Sequence, residues 1–172
     1  MTVSDMEFKS VMGRFPTGVT VVTSCDGEQP AGLTVNAFAS ISLDPPLVMV
    51  SIDKRSHLHD IVAHAGIFAA NVLGADQQEI SRRFAGQTGD RNDRFRQTPY
   101  HAGHTGAPLL DAAIAHVECR VVAHYPAGDH TIFLGQVESL GASAGKPLVY
   151  YRARYGSFAA DVDAGVIPGR RE

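Results

Sequence analysis

The chain has 172 residues, 44% of them hydrophobic and 19% charged, which fits one globular domain and excludes a disordered chain or a metal-stapled miniprotein. Its 15 lysines and arginines against 18 aspartates and glutamates leave a net charge of −3. That charge gives no field to attract nucleic acid or anionic lipid, so neither is expected as a partner.

The first residues predict a short helix and then a strand. Ser4 and Glu7 have the spacing of a capping box, in which each side chain satisfies a free amide of the other residue. The helix is expected to run to about Met12, because a glycine and a proline follow. The β-branched run at residues 19–23 is typical of a strand in a pleated, partly buried sheet.

A hairpin and a buried strand are predicted next. Asp26-Gly27 tolerates positive φ, so we expect a turn there into a second extended segment at residues 31–42. Asp44-Pro45-Pro46 excludes helix and removes two backbone donors. The nearly continuous apolar run at residues 47–52 then predicts a strand buried on both faces.

Two helices are expected around another strand. Ser56 can cap a helix that runs to about His64, and residues 67–73 return as a strand. Asp76 and Glu79 have the spacing of a second capping box. On the helix that this box would open, Ile80 and Phe84 form an apolar i, i+4 pair.

The second half of the chain predicts a long loop and then three strands. Residues 86–106 are polar and glycine-rich, and the segment is longer than most connections, which indicates either a functional lid or a mobile loop. Residues 115–125 alternate with the period of a strand, and residues 131–138 and 148–155 are two further strands.

The sequence of elements favours a mainly β fold. Six or more predicted strands and only three short helices, without strict βα alternation, favour an antiparallel barrel over a doubly wound sheet. The absence of a GxGxxG motif agrees with this. We expect one domain at residues 1–158 and a C-terminal tail at residues 159–172.

Residues 31–42 are the first candidate for a binding site. Glycine and alanine would let a large flat ring approach the backbone, while threonine, asparagine and serine would satisfy its polar edge. The alternative is a sheet edge whose polar side chains face solvent, and composition alone leaves both open.

A second candidate is the junction between the buried strand and the following helix. Lys54, Arg55 and Ser56 bring two cations, a hydroxyl and free helix amides to one place, which is the chemistry of a phosphate site. Arg82 and Arg83 could close the same site. The alternative is that these basic side chains near helix ends are simply solvated.

Eight histidines raise the question of a metal, but no cluster has a partner thiolate or the HExxH spacing, so no metal site is expected. His130 differs from the others because it follows Gly128-Asp129 where a strand begins. That position suits a side chain presented over a pocket, although a histidine that only caps the turn is the alternative.

The two cysteines predict a reducing compartment. Cys25 and Cys119 lie far apart, with no second cysteine near either, which argues against a disulfide framework or a CxxC site. The N-terminus has acidic residues and no apolar signal segment, and no run of about 18 apolar residues occurs. We therefore expect a cytoplasmic protein without a membrane partner.

Taken together, these motifs resemble the flavin reductase-like family, the short-chain NAD(P)H:flavin oxidoreductases that serve as reductase components of two-component flavin-dependent monooxygenases. The resemblance extends over residues 8–155. Its motifs are residues 15–23 (FPTGVTVVT), 32–48 (GLTVNAFASISLDPPLV), 68–73 (FAANVL), 83–85 (RFA), 118–119 (EC) and 128–130 (GDH). Each motif alone is weak, but the ordered set is highly specific.

The resemblance implies an antiparallel Greek-key split β-barrel, the FMN-binding split barrel, with flanking short helices. It further implies a homodimer with FMN or FAD bound near the subunit interface, NADH or NADPH as hydride donor, and an oxygenase partner reached by diffusible reduced flavin. The alternatives are a split-barrel enzyme that retains its flavin and acts on another substrate, as pyridoxamine-phosphate-oxidase-like proteins do, and a non-enzymatic flavin- or haem-binding protein.

The resemblance also assigns roles to residues. Thr34, Val35 and Asn36 are expected at the isoalloxazine edge, and Ser51 and Ile52 along the ring. His130 is expected on the nicotinamide side as the catalytic residue. The full expected cofactor-binding set is Gly32, Leu33, Thr34, Val35, Asn36, Ser40, Ser51, Ile52, Lys54, Ser56, Arg83, Phe84 and His130.

Overall fold

A computed structural model describes residues 3–88, 90 and 93–159. The helices of this part are α1 (Asp5–Met12), α2 (His57–Ala65) and α3 (Gln78–Phe84). The strands are β1 (Thr17–Gly18), β2 (Thr20–Asp26), β3 (Gln29–Val35), β4 (Phe38–Leu43), β5 (Pro46–Asp53), β6 (Ile67–Val72), β7 (Tyr100–Ala102), β8 (Pro108–Leu110), β9 (Ala115–Ala127), β10 (His130–Ala142), β11 (Leu148–Tyr151) and β12 (Arg154–Ser157).

The main sheet has seven strands in the order β3-β2-β6-β9-β10-β5-β4, and every pairing in it is antiparallel. Because β3 near one edge also contacts β5 near the other, the sheet curls toward a barrel. Two small sheets, β1-β11-β12 and β7-β8, lie beside it. The predicted mainly β, antiparallel fold class is confirmed.

Helix α2 contributes to the core. Its residues Leu58, Ile61 and Val62 are buried in one cluster with strand residues that include Val50 and Phe133. Its start is capped as predicted, because the Ser56 side chain accepts a hydrogen bond from the Leu58 N–H. A left-handed glycine follows the last turn. The start of α2 is therefore held at a fixed place beside β3 and β5.

Two other predictions from short-range sequence patterns are confirmed, one at helix α1 and one at the turn after β2. The capping box of Ser4 and Glu7 is formed, and α1 ends at Met12 as expected. Gly27, in the turn between β2 and β3, has φ +58°, which a glycine adopts without strain. No helix in the described part of the chain is long and apolar enough to cross a membrane.

The structure corrects two predictions about strands. Residues 31–42 form two strands, β3 and β4, because the chain leaves the sheet at Asn36 and Ala37. Residues 148–155 form the hairpin of β11 and β12, with Arg152 and Ala153 at φ +48° and +59°. Sequence reasoning missed this turn because neither residue is a glycine or an asparagine.

Two further predictions were wrong in detail. Strand β5 alternates between buried and partly exposed residues, so only one of its faces lies in the core. The capping box at Asp76 and Glu79 is not formed. Helix α3 begins after Gln77, whose side-chain oxygen accepts from the Gly74 N–H while its amide nitrogen donates to the Ala112 carbonyl. The expected tail at residues 159–172 lies outside the described residues from residue 160 onward.

Glu118 is a buried carboxylate that fixes the loop between β7 and β8. Its side chain accepts from the Thr105 N–H at 2.9 Å and from the Thr105 hydroxyl at 3.1 Å. Burial by itself would raise the pKa of Glu118, but these bonds, with others from the His104 backbone and the Ser139 side chain, outweigh it and lower the pKa. The structure is therefore stabilised by the ionised form.

This arrangement predicts a pH-dependent contribution to stability. Because the folded-state pKa of Glu118 is lowered, its stabilisation is present above the ordinary pKa of a glutamate and is lost as the pH falls through the folded pKa. Glu118→Gln is expected to lower the free energy of unfolding by about 1–3 kcal/mol near neutral pH. Urea denaturation at a series of pH values checks this: the gap between variant and wild type must narrow in acid, and a constant gap contradicts it.

Candidate active site

A cleft of about 450 Å³ lies between β3, the start of α2 and the loop that follows α3. Three predicted site residues, Gly32, Leu33 and Ser56, line it together. We call it the cationic cleft because Arg55 and Arg94 also line it; the other residues at its wall are Asp26, Gln29, Pro30, Ala31, His57, Leu58, Ile61 and Phe95.

The start of α2 gives the cleft a site that favours anions. The free N–H groups and the dipole of a helix N-terminus attract negative charge. The Arg55 guanidinium lies beside it, with its Nη2 atom 2.8 Å from an oxygen of Asp53. Hydrogen bonds from the Arg55 side chain and backbone hold the pKa of Asp53 well below its ordinary value. Asp53 therefore stays ionised. It orients the Arg55 guanidinium and offsets part of the positive charge of that group.

Strand β3 presents an open backbone edge beside this helix. The carbonyl of Val19 accepts a hydrogen bond at 3.0 Å from the chain just after β6, so by alternation the backbone groups of Val21 also face β6. Thr34 lies opposite Val21, and its N–H and C=O therefore point away from β2. Gly32, two residues earlier, points the same way, and its carbonyl accepts from Arg94 at 3.3 Å.

Gly32 is required by the packing of α3 on β3. A Cβ atom at this position would lie 2.7 Å from Cε1 of Phe84, which is fully buried, and 3.2 Å from Cζ of Phe95. The two aromatic rings pack edge to face with centroids 5.1 Å apart. The small residue thus lets α3 and the loop after it lie directly on β3.

The side chains of three predicted isoalloxazine contacts point in different directions. The Thr34 hydroxyl donates to the Ser81 carbonyl at 2.7 Å, and Val35 is buried in the main core. Asn36 lies in a separate groove beside α1. Ile52 is also fully buried in the core. For Val35 and Ile52 only the backbone is available to a ligand.

Lys54 and His130 meet at the turn between β9 and β10. The Lys54 ammonium donates to the Gly128 carbonyl at 2.6 Å, and the Lys54 N–H donates to the Asp129 carbonyl at 3.0 Å. Strand β10 begins at His130 as predicted, opposite Asp53 in register. His130 Nδ1 lies 2.7 Å from Oδ1 of Asp129, and this bond lowers the pKa of the Asp129 carboxyl.

The remaining predicted residues are not lining residues of the cationic cleft. Arg83 donates to the Gln97 carbonyl at 2.9 Å and to the Thr98 hydroxyl at 2.8 Å, so it holds the loop that follows α3. Ser40 lies on β4, and Ser51 lies on β5, where its N–H donates to the Ala37 carbonyl at 3.1 Å.

Sequence reasoning missed Arg94 and Phe95, which the loop of residues 86–106 brings to the cleft. The only signal was the unusual length of that loop. Part of it is the short strand β7 rather than a continuous loop. No group of three or more His, Cys, Asp or Glu within the described residues is placed to hold a metal ion.

Residues 12–159 match the family model described as the flavin reductase like domain. The FMN reductase (NADH) SmoA of Agrobacterium fabrum is 43% identical over 152 residues, covering 88% of this chain and 84% of that protein.

Two solved structures are also similar. The NADH:FAD oxidoreductase SgcE6 of Streptomyces globisporus, in complex with NAD and FAD fragments, has 38% identity and a TM-score of 0.85, covering 95% of this chain and 100% of that one. BorF, the flavin reductase component of a bacterial two-component tryptophan halogenase, has 33% identity and a TM-score of 0.84, covering 92% and 100%. This chain belongs to the flavin reductase-like family, and the predicted resemblance is confirmed.

The close approach at Gly32 can be tested by one added methyl group. Gly32→Ala forces a buried ring to move and is expected to lower the free energy of unfolding by about 1–3 kcal/mol. Gly156→Ala is the control, since a Cβ there meets nothing within 4 Å. Urea denaturation measures both variants, and equal stabilities would contradict the proposed packing of α3 on β3.

Proposed function

We propose that this protein is an NADH- or NADPH-dependent flavin reductase that reduces FMN or FAD. The observation that carries the proposal is the cationic cleft, where the open edge of β3 lies beside the start of α2 and two arginines. The names of its relatives agree with this activity. The family expectation of a reductase with a flavin and a nicotinamide cofactor is thereby supported for this chain.

The residues of the cleft fit a flavin nucleotide. Its volume of about 450 Å³ lies within the range of small-molecule sites. The phosphate of the flavin requires cations and free amides, which Arg55, Arg94 and the start of α2 provide. The polar edge of the ring carries donors and acceptors, which the outward N–H and C=O groups of β3 can match.

When bound, the flavin supplies the chemistry of the reaction by accepting a hydride from the reduced nicotinamide. The protein needs no acid and base pair for that step, and its task is to hold the two rings in contact. Ser56 and Arg94 bind the phosphate, Lys54 fixes the neighbouring turn, and the backbone of Thr34 orients the ring. Ser40, Ser51 and the Arg83-Phe84 pair shape the surroundings of the site.

His130 is proposed to face the nicotinamide. A carboxylate oxygen of Asp129 can only accept, so Nδ1 of His130 carries the proton of their hydrogen bond. In the neutral ring Nε2 is then an acceptor, which suits the amide N–H₂ of a nicotinamide. The side chain is 39% exposed, so a ligand can reach it.

A second copy of this chain is proposed to cover the apolar groove, which lies between α1, β4 and the β11–β12 hairpin. The groove measures about 1010 Å³, and Phe8, Met12, Phe15, Phe38, Met49 and Tyr150 are among the residues that line it. No residue of α1 is buried, and Phe8 and Phe15 are 61% and 69% exposed. An exposed apolar surface of this extent indicates an interface, and the homodimer expected for the family would cover it.

The proposed partner is an oxygenase component that consumes reduced flavin after it diffuses from the cleft. The relative BorF is such a reductase component in a two-component system. The proposed location is the cytoplasm, which is supported by the two free thiols of Cys25 and Cys119.

His130→Ala tests the proposed catalytic role. Under anaerobic conditions NADH is expected to bleach FMN with the wild-type protein. The variant is expected to keep its flavin affinity and lose about tenfold or more in kcat/KM for NADH, the scale of about 1.4 kcal/mol. Stopped-flow absorbance measures the bleaching, and fluorescence titration measures the affinity. His64→Ala, near the end of α2, is the control, and wild-type kinetics in His130→Ala would contradict the assignment.

Phe8→Asp tests the proposed dimer. A charge in the apolar groove would be desolvated on association, so the variant is expected to dissociate to a chain of half the wild-type mass. Leu140→Asp is the control, because Leu140 is 70% exposed and does not line the groove. Sedimentation equilibrium decides the matter, and an active wild-type monomer would overturn the proposal.

A further inference from the structure

Helix α3 links the C-terminal hairpin to the flavin-binding edge of β3. Ser81 lies at its centre and is fully buried. Its hydroxyl shares a hydrogen bond of 2.9 Å with the Tyr155 hydroxyl on β12. Its carbonyl accepts the Thr34 hydroxyl at 2.7 Å. One residue of α3 therefore joins Tyr155 on one side to Thr34 on the other.

The carbonyl of Ser81 is fully used by these contacts. It accepts the Ala85 N–H at 2.9 Å, which closes the last turn of α3, and the Thr34 hydroxyl takes its second lone pair. A rotation of the helix about its axis would carry this carbonyl away from Thr34 and break that bond, while the bond to Ala85 within the helix would stay intact. The angular position of α3 thus determines where the Thr34 side chain is held.

Tyr155 limits that rotation through the bond of its hydroxyl to Ser81. Its ring packs against Tyr150 with centroids 5.4 Å apart, and the Arg82 guanidinium lies 5.7 Å from the ring centroid. The ring therefore contacts neighbours on both β11 and α3. Tyr155 does not line the cationic cleft, so any effect it has on flavin must pass through other residues.

We propose that Tyr155 is a positioning residue for flavin binding: its hydroxyl fixes Ser81, and Ser81 holds Thr34 so that the outward backbone groups of β3 keep the orientation the flavin ring requires. This role rests on the proposed function. It predicts that one partly buried hydroxyl on the C-terminal hairpin controls flavin affinity from outside the cleft.

Tyr155→Phe removes that hydroxyl and keeps the ring. The expected result is a rise of about fivefold in both the flavin Kd and the flavin KM, the factor that one typical hydrogen bond contributes. The kcat at saturating flavin is expected to change by less than about twofold, because the contact orients flavin equally before and during the reaction. Tyr151→Phe is the matched control, since it removes a hydroxyl from an exposed position on the same hairpin.

A double-mutant cycle tests whether the effect passes through Thr34. Thr34→Val removes the hydroxyl that Ser81 accepts and keeps the shape of the side chain. If Tyr155 acts through Ser81 and Thr34, adding Tyr155→Phe to Thr34→Val changes the flavin Kd by less than about twofold. If the two residues act independently and each variant alone raises the flavin Kd about fivefold, the double variant raises it about 25-fold, and the proposed route is wrong.

The result that overturns the proposal is a Tyr155→Phe variant with a lower melting temperature and wild-type values of flavin Kd and KM. If that variant fails to fold, Ser81→Ala removes the same bond while keeping the carbonyl that Thr34 uses, and the same criteria apply to it. Failure of the proposed function gives a different outcome, because the wild-type protein would then neither bind flavin nor be reduced by NADH.

Discussion

The contact between the Phe84 ring and the backbone of Gly32 is the constraint on which the rest of the candidate site depends. The fully buried Phe84 ring leaves no room for a Cβ atom at residue 32, so α3 lies directly on the edge strand β3. From that position the helix reaches Thr34 through Ser81, and the loop after it brings Arg94 to the carbonyl of Gly32. A larger residue on β3 would separate these groups and open the cleft.

The positive charge of the candidate site comes from a few neighbouring groups and not from the net charge of the chain. The chain is slightly acidic overall, with a net charge of −3, yet Arg55, Arg94 and the start of α2 all lie at one cleft. Asp53 offsets part of the Arg55 charge, and Arg94 and the start of α2 line the same cleft. The net charge argues against nucleic acid as a partner, but it carries no information about this arrangement.

Sequence reasoning succeeded where short-range chemistry decides the structure. The capping box at Ser4, the cap at Ser56 and the glycine turn after Asp26 each depend on residues a few positions apart, and all three formed. It failed at Asp76, where the capping-box spacing is present but the box does not form. Gln77 contacts Gly74 and Ala112 instead, and Ala112 is 35 residues away from it. The same holds for the candidate site. The sequence indicated the small residues of β3 and the cap of α2, which line the cleft, but it gave no indication of Arg94. Nothing near Arg94 in the chain signals a contact with Gly32, which is 62 residues away.

The central claim is that flavin is held by the outward backbone of β3 and by the His57 amide at the start of α2, and amide hydrogen exchange tests it most directly. At a flavin concentration of about 100 times Kd, exchange of the Thr34 and His57 amides is expected to slow by up to about 100-fold. The amides of β12 serve as the internal reference and are expected to change far less. Unchanged exchange at Thr34 and His57 with saturating flavin, or slowing confined to the apolar groove beside α1, would contradict the account.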